Sequence, residues 1–112
     1  MKKYFILLEL CAFIICGCAR HNEESTVTLI RTPSMVCGSC AKTIKNAIVR
    51  IEGVEDVNSD LDKKTVSVKY LPSKVNLEKL EQAITAAGYD ANDKKRDKDA
   101  YDKLDKCCKI DG

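Results

Sequence analysis

The groups in this chain best able to do chemistry are its seven cysteines, which fall into three sets. Cys11, Cys16 and Cys18 lie in an apolar amino-terminal stretch, Cys37 and Cys40 form a C-x-x-C, and Cys107 and Cys108 are adjacent near the end. A spacing of three residues lets two sulfurs face one ion from either side. Two thiolates with no further ligand suit soft cations that accept low coordination, Cu(I) and Hg(II), whereas Zn(II) prefers a tetrahedron of four. Hard cations such as Mg(II) and Ca(II) are excluded by ligand type. The same pair can also close as a disulfide in an oxidising compartment or serve thiol–disulfide exchange.

The tail pair widens the choice. Neighbouring cysteines bond to each other only through a strained ring, so a mutual disulfide is disfavoured. They can instead fold back to the C-x-x-C, since residues 93–106 span up to about 45 Å when extended. Four thiolates would admit Zn(II) or Cd(II), or hold Cu(I) or Hg(II) more tightly. A separate capture site, or a thiol pair that relays between molecules, are the alternatives. His21, the one histidine, reads as a solvated linker residue.

These sulfurs need a scaffold, and hydrophobic periodicity supplies one. Val27 to Thr32 is β-rich and reads as a first strand that Pro33-Ser34 ends, leaving the C-x-x-C in the following loop. From Ser39 to Ile51, Cys40, Ile44, Ala47, Ile48 and Ile51 recur at helical spacing, with Gly53 expected to stop the helix. Val54 to Leu61 and Thr65 to Tyr70 alternate as a hairpin about Asp62-Lys63-Lys64. Asn76 is placed to cap a second helix carrying Leu77, Leu80, Ala83, Ile84 and Ala87 on one face, ended by Gly88. Tyr89 to Asn92 is expected to form a last strand. The order β-α-β-β-α-β predicts an α+β, ferredoxin-like sandwich: two helices on a four-stranded antiparallel sheet. Its last strand would carry the tail away from the end that holds the C-x-x-C. The mixed-charge run Lys94-Lys95-Arg96-Asp97-Lys98-Asp99 reads as solvated, and Ala100 to Lys106 has room for about two helical turns.

Length and charge narrow the function. With 112 residues there is room for one small domain and no deep enzyme cleft. Nineteen basic and seventeen acidic residues, a net charge of +2 and no Trp argue against a nucleic-acid partner. Met1-Lys2-Lys3 followed by the apolar run to Ile15 fits a secretory signal and is too short for a permanent span. Ile15-Cys16-Gly17-Cys18 resembles a bacterial lipobox, which implies cleavage before Cys18 and lipidation there. The expected organisation is a signal at 1–17, a polar tether at 18–25, a domain at 26–92 and a tail at 93–112.

Met35-Val36-Cys37-Gly38-Ser39-Cys40 resembles the M-x-C-x-x-C loop of the heavy-metal-associated domain family. Ile51-Glu52-Gly53-Val54 and Ala86-Ala87-Gly88-Tyr89 are similar to its other landmarks, and the resemblance covers residues 26–92. Ser34 and Val36 stand where many relatives have Gly and Thr, and Arg31-Thr32 adds a residue to the usual strand. Relatives include copper chaperones, amino-terminal domains of metal-pumping ATPases and periplasmic mercury-binding proteins. The resemblance implies that Cys37 and Cys40 are the ligands, that Met35 packs beneath the loop and that Tyr89 lies near the site. The expectation is a non-enzymatic carrier of Cu(I) or Hg(II), lipid-anchored at the bacterial envelope on the periplasmic side or cell surface. It would exchange its ion with a metal transporter or another thiol-bearing acceptor. A thiol-disulfide redox protein and metal sequestration without delivery are the competing readings.

Overall fold

The computed structural model describes residues 24–109. The signal, Cys18 and His21 fall outside the described residues. The first strand, β1 (Thr26–Arg31), leads into a loop and then into α1 (Gly38–Val49). Strands β2 (Val54–Asp60) and β3 (Thr65–Tyr70) form the hairpin, followed by α2 (Leu77–Ala86). The tail adds a short α3 (Lys98–Asp102) and a 3₁₀ turn over Lys106–Cys108. Among the described residues no helix is long and apolar enough to cross a membrane.

Alternation decides which face each strand buries. Val66, Val68 and Tyr70 of β3 point into the core with Ile30 and Val57, and meet Ile44 and Ile48 of α1 and Leu80 and Ile84 of α2. In β1 the adjacent apolar residues resolve in favour of Ile30, which is fully buried, while Val27 and Leu29 stand on the outer face. Asn76 caps α2 as expected, its side chain accepting from the Lys79 N–H at 2.9 Å. Gly53 does not stop α1, which ends earlier at Arg50. It makes the turn into β2 instead, with a φ of 101°.

Among the described residues the sheet has three strands, in the order β1-β3-β2, both pairs antiparallel. The fourth strand expected at Tyr89–Asn92 does not form, and Asn92 shows why. It adopts a left-handed φ of 53°, a conformation asparagine tolerates better than most residues. Its N–H donates to the Arg31 carbonyl at 2.8 Å, and its side-chain oxygen accepts from the Arg31 N–H at 2.9 Å. Both backbone groups of Arg31 are thereby satisfied by one residue, and the chain turns back through an Ala91–Lys94 bridge. It therefore stays at the end of the sheet where β1 delivers its loop.

That reversal also corrects the reading of the tail as a solvated run leaving from the far end. Arg96 binds the Asp90 carboxylate through its backbone N–H at 2.9 Å and its guanidinium at 3.4 Å. The guanidinium also lies 3.9 Å from the centroid of the Tyr101 ring, and the ring is buried. Asp97 donates its N–H to the Thr85 carbonyl at 2.9 Å and caps α3 by accepting from the Ala100 N–H at 2.9 Å. The charges bind the tail to the domain, and Tyr101 supplies the apolar anchor.

Candidate metal centre

The loop between β1 and α1 is held from below. Met35 is fully buried in the core, its carbonyl accepts from the Lys64 ammonium at 3.0 Å, and its N–H donates to Thr32 at 2.9 Å. The buried Ser34 hydroxyl accepts from the Asp90 N–H at 3.0 Å, fixing the loop to the segment after α2. Lys64 and Ser34 are site-building residues that periodicity alone does not reveal. The only hint of Lys64 is its place in a hairpin turn, where it adopts a φ of 54°.

With the loop fixed, Cys37 becomes the N-cap of α1 and Cys40 lies in its first turn. Their sulfurs are 3.2 Å apart, and both thiols are free. Cys37 is half-buried and Cys40 fully buried. The Cys40 thiol, then the Cys40 backbone N–H and the tail thiols, favour a thiolate at Cys37 and outweigh its burial, lowering its pKa from 9.0 to about 7. The free N–H groups at a helix start act in the same direction.

The tail brings in one of its two cysteines and leaves the other at the rim. Cys108 is buried, with its sulfur 3.7 Å from that of Cys37. The sulfurs of Cys37, Cys40 and Cys108 all lie within 4.8 Å of one another. Cys107 is exposed, its sulfur 3.9 Å from that of Cys108, and it is not part of this three-sulfur cluster. Of the four thiols considered above for Zn(II) or Cd(II), three lie together in the cluster and Cys107 sits beside it, next to Cys108. Burial, above all, pushes the Cys108 thiol up to about 12.

Tyr89 is fully buried beneath the cluster. It is seated there by the end of α2, where the Tyr89 N–H donates to Ile84 at 3.2 Å and the Gly88 N–H to Thr85 at 3.0 Å. This is the paired closure that a left-handed glycine makes possible, and Gly88 has a φ of 103°. Burial and the neighbouring Cys40 and Cys108 sulfurs raise the pKa of the phenol well above its ordinary value, so it stays a hydrogen-bond donor. Its hydroxyl is nonetheless buried without a formed hydrogen bond.

A profile of the Heavy-metal-associated domain matches residues 29–90. The chain belongs to this family. The heavy-metal-associated match spans β1 to the segment after α2 and stops before the tail. Among similar proteins, the mercuric transport protein periplasmic component of Acinetobacter calcoaceticus is 39% identical over 89 residues, covering 80% of this chain and 93% of that protein. The solved CopZ metallochaperone is similar at 32% identity and a TM-score of 0.58, over 59% of this chain and 98% of its own. Oxidised MerP of Ralstonia metallidurans CH34 is similar at 29% identity and a TM-score of 0.59, over 62% and 96%. These heavy-metal-associated relatives support metal binding as the general role of the domain.

Proposed function

We propose that this chain is a non-enzymatic carrier of a thiophilic cation, Hg(II) or Cu(I), with Cys37 and Cys40 as its primary ligands. The observation that carries the reading is the pair of free sulfurs 3.2 Å apart at the start of α1, in a chain of the heavy-metal-associated family. The Cys37 thiolate forms readily near neutral pH, and metal binding displaces the remaining protons. Loading and release proceed by ligand exchange: an acceptor thiolate adds to the ion, then a resident thiolate leaves, and no bare ion is formed. The acceptor is a metal transporter or another thiol-bearing protein.

The mercuric relatives named as periplasmic components support an extracytoplasmic site of action. The amino-terminal sequence supports a lipid anchor at Cys18 in the bacterial envelope, with residues 18–25 as the tether.

The test is anaerobic titration of the reduced full-length chain in detergent with Hg(II) and Cu(I), read by native mass spectrometry. One ion per chain is expected, lost in a Cys37→Ser, Cys40→Ser double variant. Failure of the reduced protein to bind either ion, alongside turnover of a disulfide substrate, would replace the carrier with a thiol oxidoreductase. Binding without transfer to any thiol-bearing acceptor would make it a sequestering protein.

A further inference from the structure

We propose that Cys108 is a third ligand, so that the folded tail turns the two-thiolate loop into a three-thiolate site. The inference rests on the carrier reading and specifies the coordination it uses.

Four observations converge. The first is geometric. For thiolate bonds of about 2.3 Å, a trigonal ion needs sulfurs about 4.0 Å apart, whereas a linear pair needs about 4.6 Å. The Cys37–Cys40 and Cys37–Cys108 separations are 3.2 and 3.7 Å, and no pair in the cluster exceeds 4.8 Å. Movements of about 1 Å or less would centre an ion among the three.

The second is that Cys108 is placed there by dedicated structure. Its N–H donates to Asp105 at 2.8 Å, closing the 3₁₀ turn. Tyr101 and Arg96 fasten the preceding residues to the domain, and Lys109 donates to the Asp102 carbonyl at 2.9 Å. A ligand held close in this way avoids most of the entropy lost when a free thiol is recruited.

The third is the Tyr89 hydroxyl. It lies within interaction range of the Cys40 and Cys108 sulfurs, yet makes no well-formed hydrogen bond to either. A buried donor without an acceptor is costly. Thiols are poor acceptors, while metal-bound thiolates carry the negative charge that such a donor would stabilise. The orphan is accounted for if both sulfurs beside it become thiolates in the loaded protein.

The fourth is that Cys107, one residue away, is exposed and outside the cluster. Three donors, two buried and one half-buried, suit Hg(II) and Cu(I), which accept three soft ligands, and are one fewer than a closed structural Zn(II) site takes. The third position is also the one an acceptor thiolate must enter during exchange. An acceptor therefore has to displace Cys108, and the tail slows release to small thiols that lack further binding energy.

The test uses the reduced full-length chain in detergent, loaded anaerobically with one equivalent of Hg(II). X-ray absorption reads the number of bound sulfurs, and a competing small thiol reads retention. Three sulfurs are expected in the wild type and in Cys107→Ser, and two in Cys108→Ser. Cys108→Ser is also expected to lose Hg(II) to the competitor about tenfold more readily or worse. Two sulfurs in the wild type would overturn the proposal whatever the variants do. So would three in Cys108→Ser, or four in the wild type that become three in Cys107→Ser. No bound Hg(II) in the wild type would instead overturn the carrier reading on which the proposal rests.

Discussion

Cys37 and Cys40 share a loop and a chemistry, but their surroundings assign them different work. Cys37 is half-buried, and its pKa is lowered to about 7. In metal-free reduced protein it should react with iodoacetamide faster than the other described thiols. Its rate should rise through a midpoint near pH 7, because the thiolate fraction grows as pH passes the folded-state value. Peptide mapping at a series of pH values checks this, and a midpoint near 9 would refute it. The depressed value also means that the stabilisation carried by this thiolate is complete above pH 9.0 and is lost as pH falls through about 7. Tyr89 makes the opposite case. Its hydroxyl has no formed hydrogen bond, so Tyr89→Phe should leave metal-free stability unchanged or raise it by up to about 1 kcal/mol. Urea denaturation measures this, and a clear loss would show that the hydroxyl is already bonded. The chemistry of Cys37 and Cys40 was legible in residue type and spacing, and the family resemblance placed Met35 beneath the loop and Tyr89 near it. The division between Cys107 and Cys108 was not legible, because two adjacent cysteines differ only in which way a 3₁₀ turn points them.

The elements were legible wherever apolar residues recur over several turns or alternate along a strand. Asn76 announced α2, and Val66, Val68 and Tyr70 announced β3. The last strand failed because Tyr89 to Asn92 is too short for alternation to outweigh one residue's backbone preference. Asn92 takes a left-handed turn and satisfies Arg31 with two bonds. The packing of α3 was hidden in a run of charges, where Tyr101 and Leu104 were the bulky apolar signals. Gly88 joins these elements. A side chain there would sit at a φ of 103° and come within 3.1 Å of Ala100 and Tyr101 backbone atoms. Gly88→Ala should therefore cost about 1–3 kcal/mol and loosen the tail. Thermal unfolding reports the first effect. Faster alkylation of Cys108 reports the second, and unchanged labelling would mean that the tail does not depend on this contact.

At the scale of the molecule, a domain this small has little stability in reserve. Binding to the folded state alone adds about 2.7 kcal/mol when free ligand is one hundred times Kd. Each kcal/mol shifts the melting temperature of a domain of 60–100 residues by about 4–8 °C. Saturation with Hg(II) should thus raise the midpoint by roughly 10–20 °C, and Cys37→Ser, Cys40→Ser should abolish the rise. Calorimetry on reduced protein with and without Hg(II) checks both. A shift that persisted in the double variant would place the ion elsewhere.

The early turn at Asn92 has a cost on the far side of β1. Among the described residues, Asn92 alone bonds to the outer edge of that strand, and only at Arg31. Val27 and Leu29, 61% and 64% exposed, stand on the sheet's outer face nearby. An open strand edge beside apolar side chains is a template for pairing with another extended chain. Keeping the tail thiol near the metal loop leaves the sheet unfinished, so a high local concentration would favour self-association along β1. Replacing Leu29 with lysine should suppress such association in light scattering while leaving the sulfur cluster untouched.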